Sequence, residues 1–322
     1  MKQTLFEQRF ADDWKTFDTV LTRLESNQKK QPSNDDPEMA RFPQHYRRLC
    51  HQQSLARERG YSLSLIQRLD DLVLRGHRQL YRHSLPMAAP LKQLFVYGFP
   101  QAVRDQWPWQ LASLIAFCLP LLLVATLVTQ VPEMIYSVLD VDSVHAMEQM
   151  YEPDAPHRLE RNSSDDLVMF GFYIYNNIGI AFRTLAGGMF FGIGSLIVMV
   201  FNGSYFGAIA AHLVNVGSHE PFFTFVIAHG APELTAIVLA GGAGLRIGWS
   251  LVAPGRHSRL DALKHSANRV MPIMYGVFAM LLLAAFIEAF WSPRLLEPQV
   301  KYLVGSLLWL VTLMYFTLAG RR

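Results

Sequence analysis

Residues 225–245 form an apolar segment that is long enough to enter a membrane and yet carries two ionisable side chains, His229 and Glu233. A charged residue at the centre of a membrane helix costs roughly 2.5 to 3.5 kcal/mol on insertion scales, so such residues are rare there and commonly have a function. The two positions are one helical turn apart and share a face of the helix, where they can hydrogen-bond to each other or line a cavity together. The segment therefore predicts a membrane-spanning fold that contains a polar site.

The charged residues divide the chain into a polar part and an apolar part. Residues 1–105 hold 17 Lys/Arg and 12 Asp/Glu, whereas only Arg183, Glu220 and Glu233 are charged within residues 167–245. Over the whole chain 17% of the residues are charged, below the roughly 25% of a typical soluble domain. The net charge of +3 is too small to indicate a nucleic-acid partner, and none is expected.

The polar part, residues 1–105, is predicted to be an N-terminal helical domain. Apolar side chains at three- and four-residue steps indicate an amphipathic helix over residues 1–30. A second helix is expected over about residues 37–59 and a third from near Ser62 or Ser64. No strand-like alternation of apolar and polar residues occurs, so the fold class is predicted to be all-α.

The apolar part, residues 106–322, is predicted to be a transmembrane domain with about six membrane segments. Residues 205–217 are too few to span a membrane comfortably, so this segment is expected to be short or re-entrant. Asn202 and Gly203 are interpreted as a turn that precedes it. The segments lie near residues 110–130, 178–201, 205–217, 222–245, 271–291 and 302–319.

Loop charges orient these segments. Residues 131–166 hold nine acidic and two basic residues, and residues 246–269 hold five basic residues and one acid. Because cytoplasmic loops are enriched in Lys and Arg, the first loop is predicted to be extracytoplasmic and the second cytoplasmic. Both termini and residues 1–105 then lie in the cytoplasm, and the chain is expected in the bacterial cytoplasmic (inner) membrane.

Three further ionisable residues are expected near His229 and Glu233. The six-segment map places Arg183, His212 and Glu288 in the same half of the membrane, and pairing among the five groups would lower the cost of burying them. Three interpretations stay open: a structural network that fixes the helix register, a site for a polar substrate or an ion, and a catalytic site.

No metal site and no cofactor is predicted. His212, His229 and Glu233 could supply three ligands, but nothing in their spacing aligns them, and the chain has no HExxH motif. Cys50 and Cys118 have neither metal-type spacing nor the pattern of a disulfide framework. Since a nucleophile elbow and a P-loop are also missing, no catalytic residue is named and enzymatic activity is not predicted.

Small residues are concentrated where helices are expected to pack closely. Gly188 and Gly192 have the small-xxx-small spacing that lets a second helix approach. Gly241 and Gly244, followed by Arg246, suggest a phosphate-binding loop only superficially, because no strand precedes them and the Lys-Ser/Thr ending is missing. Close helix packing is the expected role of these glycines.

A set of motifs spread over nearly the whole chain points to a known family. They are Tyr175-Asn176-Asn177, the glycine-rich span through Asn202-Gly203, His229-Gly230-Ala231-Pro232-Glu233, the run from Gly241 to Gly248, and Leu72 to His77 with Tyr81. Together they resemble the stage II sporulation protein M family of bacterial integral membrane proteins, in the longer form found outside spore-formers.

The resemblance implies a membrane scaffold, because the sporulation protein works with a peptidoglycan hydrolase and another membrane protein during engulfment. Longer members are often encoded beside a MoxR-type ATPase and von Willebrand factor A proteins, which implies envelope partners of that kind. The expected function is an inner-membrane scaffold or complex subunit in envelope organisation, homo-oligomeric and in contact with membrane lipids. The alternatives are a transporter or lipid-handling protein that uses the His/Glu cavity, and an intramembrane hydrolase.

Overall fold

The computed structural model of the protein describes residues 2–26, 37–80, 88–152 and 163–321. Within these ranges every regular element is a helix and no strand occurs, which confirms the all-α prediction. The chain divides into two compact units, Met1–Ala88 and Ala89–Arg322.

The first unit is a bundle of three helices. They are α1 (Gln3–Ser26), α2 (Pro37–Glu58) and α3 (Leu63–Leu80), as the apolar periodicity predicts. Phe6, Trp14 and Leu21 are among the side chains that fill its core. The indole nitrogen of Trp14 donates a hydrogen bond of 2.7 Å to Gln52, so the polar atom of the largest core side chain is satisfied.

The remaining helices belong to the membrane unit. They are α4 (Ala88–Gln93), a π-helical segment (Leu94–Gly98), α5 (Phe99–Asp105), α6 (Trp107–Gln130), a 3₁₀ helix (Pro132–Ser137), α7 (Val141–Met150), α8 (Ser163–Gly187), α9 (Ile193–Asn215), α10 (His219–Val252), α11 (Arg259–Phe286), a second π-helical turn (Ile287–Trp291) and α12 (Pro298–Leu318).

Five of these helices are long and apolar enough to cross a membrane: α6, α9, α10, α12, and α11 with the π-helical turn that continues it. This composition confirms the predicted polytopic all-α membrane protein. α10 is the most buried of the five and contacts α6, α8, α9, α11 and α12. α8 is not among the five, since its 25 residues include two aspartates, two asparagines and an arginine, but it packs along α9, α10 and α11.

The predicted segments 178–201 and 205–217 are wrong. α8 ends at Gly187, residues 188–192 form a tight turn, and α9 begins at Ile193. Phe191 and Gly192 adopt φ angles of 55° and 86°, the left-handed conformation that reverses the chain here. Residues 205–217 are consequently no short or re-entrant segment, because most of them form the second half of the 23-residue α9.

Asn202 and Gly203, predicted as a turn, lie inside α9. The Asn202 side-chain amide donates a hydrogen bond of 2.8 Å to the carbonyl oxygen of Val198, one helical turn earlier, and so stays compatible with the helix. A side chain at Gly203 would collide with the backbone carbonyl of Phe117 on α6. Gly203 therefore sets a close helix–helix contact rather than a turn.

The membrane unit has two ends, which we name by one residue each. At the Ser292 end, Arg294 pairs with Asp166 in the first turn of α8, with Nη2 and Oδ2 2.6 Å apart. At the Gly188 end, the turn between α8 and α9 packs so closely on α10 that a side chain at Gly188 would collide with Gly244. α8 thus extends from one end of the helix bundle to the other.

Residues 89–105, predicted to belong to the N-terminal domain, belong to the membrane unit. The ring of Phe99 packs against the ring of Phe316 on α12, with the two ring centres 5.3 Å apart. Arg104 donates a hydrogen bond of 2.9 Å to the carbonyl oxygen of the same phenylalanine. The aromatic side chains of this segment are therefore part of the helix packing.

Residues 131–166, predicted as a solvated loop, contain the 3₁₀ helix, α7 and the first turn of α8. Asp140 caps α7 by accepting a 2.8 Å hydrogen bond from the backbone nitrogen of Ser143. Residues 153–162 of the predicted loop, and Tyr81 of the family motif, lie outside the described residues.

Candidate functional site

Three ionisable side chains from two helices converge inside the membrane unit. His229 and Glu233 extend from α10, and Glu288 extends from the π-helical turn that follows α11. One potential ligand atom of each, a ring nitrogen or a carboxylate oxygen, lies within 4.8 Å of the other two. We refer to these three residues as the triad.

The local structure explains why these side chains meet. His229 and Glu233 are separated by four residues and therefore lie on one face of α10, the central helix of the unit. Glu288 is held in a π-helical turn, Ile287–Trp291. Such turns insert a residue into a helix and rotate the side chains that follow, and they are frequent at functional sites.

Neighbouring polar groups orient two of the triad side chains. His229 is buried, and its Nδ1 lies 3.0 Å from the hydroxyl oxygen of Ser292. The Asn177 amide, also buried, donates a hydrogen bond of 3.4 Å to Glu288. The carbonyl oxygen of Ser292 accepts a hydrogen bond of 2.8 Å from Lys301, which fixes the backbone beside the site.

Glu233 differs from the other two because one of its oxygens has no partner. Its Oε2 is fully buried and accepts no hydrogen bond within the described part of the chain. A buried polar group without a hydrogen bond commonly costs about 1 to 3 kcal/mol, and more if it is charged. The arrangement is therefore incomplete as a structural polar network.

Two adjoining cavities lead to the triad. The first, of about 790 Å³, lies at the Ser292 end and is lined by Arg294, Lys301 and His219 among others. The second, of about 710 Å³, is lined by Glu233 and Glu288. Five residues line both cavities, so the two spaces share a boundary: Met150, Tyr151, Met169, Tyr173 and Phe225.

The wall of the second cavity is mixed in character. Beside the two triad carboxylates it contains Asn177 and Arg183, while its apolar wall includes Ile197 and Phe201, both of which are exposed on the outer surface of α9. A cavity of this size that combines acidic and apolar walls suits an amphipathic molecule.

His212, predicted to join the polar core, lies elsewhere. It is buried on α9, where its Nε2 lies 2.8 Å from a carboxylate oxygen of Glu148 on α7. The hydrogen bond to His212 lowers the pKa of the Glu148 carboxyl below its ordinary value; burial opposes this effect, and His145 adds to it. The pair joins α7 to α9, so the prediction that His212 belongs to the polar core is wrong. The third residue beside His229 and Glu233 is Glu288.

Arg183 reaches the second cavity from the opposite direction to the one predicted. It lies near the C-terminal end of α8, close to the Gly188 end, because the turn at residues 188–192 reverses the chain earlier than expected. Its Nε donates a hydrogen bond of 3.1 Å to the carbonyl oxygen of Gly179. Arg183 therefore lines the cavity wall without being one of the three converging residues.

The glycines predicted to allow close packing do lie at close contacts. Gly241 lies against Ser113 and Met199, and Gly244 lies against Ser195 and Thr184. Gly188 also approaches α10, although it belongs to a turn rather than to the interior of a helix, and Gly192 begins α9 from the same turn. These contacts bring α6, α8 and α9 close to α10.

Sequence reasoning named no function for three polar residues around the site. Asn177 is part of the Tyr175-Asn176-Asn177 motif, which provided a signal, whereas Ser292 and Lys301 follow the apolar part of the fifth segment and provided none. An imidazole and two carboxylates can bind a cation or pass a proton. They form the strongest candidate site in the described part of the chain.

Comparisons with known proteins agree with this architecture. A family model described as stage II sporulation protein M matches residues 113–293, which include the whole triad. A second model, described as a domain of unknown function (DUF8413), matches residues 4–82, the three-helix unit.

A similar relative is an uncharacterized protein, MJ0793, of Methanocaldococcus jannaschii. It is 23% identical over 132 residues, which cover 40% of this chain and 74% of the relative. No solved structure matches the chain. Because the first model covers more than half of the chain, the protein belongs to the stage II sporulation protein M family of membrane proteins.

Proposed function

We propose that this membrane protein binds and moves an amphipathic ligand, a lipid or a lipid-linked molecule, through its two adjoining cavities. The observation that carries the proposal is the second cavity, where Glu233 and Glu288 face a space whose apolar wall includes Ile197 and Phe201. An apolar chain suits the aromatic and aliphatic wall, and a polar or cationic group suits the carboxylates.

The first cavity supports the same proposal. Arg294, Lys301 and His219 line it at the Ser292 end, where a charged headgroup would enter. The two cavities share part of their lining, so a ligand that enters at the Ser292 end has a short path to the triad. Movement of the side chains at the shared boundary would open this path.

The unpartnered oxygen of Glu233 favours ligand binding over a purely structural network. Polar networks that fix helix register in membranes satisfy their own hydrogen bonds and are worth less than about 2 kcal/mol. Here Oε2 of Glu233 is buried and accepts none within the described residues. A ligand or a cation that meets this oxygen would satisfy it.

Lipid co-purification with a matched pair of variants tests the proposal. Ile197 lines the second cavity, whereas the next residue on α9, Leu196, is also exposed but does not line it. We expect Ile197→Trp to fill the cavity and to lower the lipid retained per chain several-fold, as measured by mass spectrometry, while Leu196→Trp leaves it unchanged. Equal lipid retention by both variants and the natural protein would contradict the proposal.

A second candidate function, a scaffold in an envelope complex, is favoured by the separate three-helix unit. This unit has its own core and its own family match over residues 4–82. In this hypothesis the unit lies in the cytoplasm and holds a MoxR-type ATPase and its von Willebrand factor A partners, while a homo-oligomeric membrane unit lies in the inner membrane.

Affinity purification from native membranes tests the scaffold. The full chain should retain the ATPase, whereas a chain that lacks residues 1–88 should lose it and keep its bound lipid. Recovery of the ATPase with both chains, or with neither, would contradict a scaffold role for the three-helix unit.

A further inference from the structure

We propose that His229, Glu233 and Glu288 bind a divalent transition-metal ion, with Zn²⁺ as the best match to the ligands. The inference goes beyond the proposed function, because a metal ion can occupy the triad whether or not the cavity holds a lipid.

The ligand atoms already lie near the separation that a zinc ion needs. One nitrogen and two carboxylate oxygens are all within 4.8 Å of one another. A tetrahedral zinc ion about 2.0 to 2.2 Å from each ligand sets the ligand atoms about 3.3 to 3.6 Å apart. The difference is about an ångström, a distance that small changes in side-chain torsion angles can close.

The ligand types also fit zinc. Imidazole suits zinc, copper, iron and nickel, whereas magnesium and calcium prefer sites made only of oxygen ligands. One imidazole with two carboxylates supplies three protein ligands, the number found in zinc sites that keep a fourth position open. His229 and Glu233 share one helix face because they are four residues apart, and Glu288 reaches the same point from a second helical element.

The local charge is compatible with a bound cation. Two carboxylates this close in apolar surroundings repel each other and cannot both be ionised at acceptable cost unless a positive charge lies between them. Arg183, the basic side chain of the same cavity, bonds to the carbonyl of Gly179 and is not one of the three converging groups. A divalent ion would neutralise both carboxylates and satisfy the buried Oε2 of Glu233.

The hydrogen bonds around the triad match those that orient metal ligands. A metal-bound histidine commonly uses its second ring nitrogen for a hydrogen bond, and ligating carboxylates are themselves hydrogen-bonded. Here Nδ1 of His229 lies 3.0 Å from Ser292, which leaves Nε2 for the ion. Glu288 accepts a hydrogen bond from Asn177.

The second cavity supplies the open coordination position. Glu233 and Glu288 line this space, whereas His229 does not appear in its wall and is buried behind them. An ion held by all three would therefore face the cavity on the carboxylate side. A polar group of a cavity ligand, or water, would complete its coordination.

Zinc binding to the full-length protein in detergent tests the inference. Protein stripped with a chelator is titrated with zinc chloride in the absence of added lipid, and bound zinc is counted by mass spectrometry. We expect one tightly bound zinc per chain. Glu233→Gln and Glu288→Gln should each lower the zinc affinity by more than about 100-fold. Glu220→Gln, which changes an exposed carboxylate of α10 at the first cavity, is the matched control and should bind zinc like the natural protein.

A further variant keeps the test decisive if a triad variant fails to fold. Ser292→Ala removes only the hydroxyl that lies next to His229 and should weaken zinc binding about 10- to 100-fold. Absence of stoichiometric zinc, or equal zinc binding by the natural protein and the folded triad or Ser292 variants, would overturn the inference. Lipid retention is measured separately, so failure of zinc binding and failure of lipid handling can be told apart.

Discussion

A carboxylate oxygen of Glu233 and one of Glu288 lie within 4.8 Å of each other, although the two residues belong to different helices. Like charges at this separation in apolar surroundings are unfavourable, so the pair is stable only with a shared proton or a bound cation. His229 completes the group, and Oε2 of Glu233 is buried without a hydrogen bond in the described part of the chain. The three side chains therefore form a buried polar cluster in which one carboxylate oxygen has no partner.

The like-charge pair predicts how Glu233→Gln changes stability. The substitution keeps the shape of the side chain and removes one of the two charges. In the presence of a chelator we expect the variant to melt at the same temperature as the natural protein or at a higher one, and with zinc we expect only the natural protein to gain stability. A clearly lower melting temperature of the variant in chelator would instead indicate the structural network.

The contact between α6 and α9 predicts the effect of a single added methyl group. Gly203→Ala would push a Cβ atom into the carbonyl of Phe117, and we expect it to destabilise the membrane unit by about 1 to 3 kcal/mol. Gly171 on α8 has open space around it, so Gly171→Ala should be neutral or stabilise by up to about 1 kcal/mol. Thermal unfolding in detergent measures both, and equal stability of the two variants would contradict this packing.

The Glu148–His212 pair predicts a pH dependence of α7. Because the pKa of Glu148 is lowered in the folded protein, the pair contributes stability above the unfolded carboxyl pKa of about 4.3, and the contribution is lost as pH falls through the lower folded value. Hydrogen exchange over residues 141–150 should therefore be slow at pH 7 and lose part of its protection only below about pH 4. Glu148→Gln should show reduced protection already at pH 7; unchanged protection would argue against the pair.

The ion pairs of Arg75 predict that the stability of the three-helix unit depends on salt concentration. Its guanidinium hydrogen-bonds to Asp18 at 2.8 Å and to Glu25 at 2.9 Å, which joins α3 to α1. We expect Arg75→Met to weaken the unit by about 1 kcal/mol at low salt and by less at 1 M salt, where these partly exposed pairs are screened. Hydrogen exchange of α1 measures the effect, and Arg68→Met, which changes an exposed arginine on the same helix, is the control.

Much of the fold could be predicted because it follows local rules. The three helices of the first unit follow from apolar periodicity, and α6, α11 and α12 follow from apolar length. The end of α8 and the start of α9 could not be predicted, because the sequence does not distinguish glycines of a turn, such as Gly188 and Gly192, from a glycine inside a helix, such as Gly203. Only their contacts with α10 and α6 decide which of them bends the chain and which lies in a helix.

The candidate site could be predicted in part. His229 and Glu233 stand out from sequence alone, because a polar pair in an apolar segment is costly. The distance from this pair to Glu288 depends on the register of α10 against α11 and on a π-helical turn, which no local pattern indicates. His212 is likewise an ionisable residue in an apolar segment, but its side chain contacts Glu148 and not the triad. Tertiary packing determines this contact, and no local sequence pattern indicates it.

X-ray absorption spectroscopy of the zinc-loaded protein can decide whether the triad holds the ion, because it reports the atoms bound to the ion. We expect one imidazole nitrogen and carboxylate oxygens at about 2.0 to 2.2 Å, with no sulfur ligand, and a changed spectrum in Glu288→Gln. A zinc–sulfur distance of about 2.3 Å from Cys50 or Cys118, or a spectrum unchanged in Glu288→Gln, would contradict it.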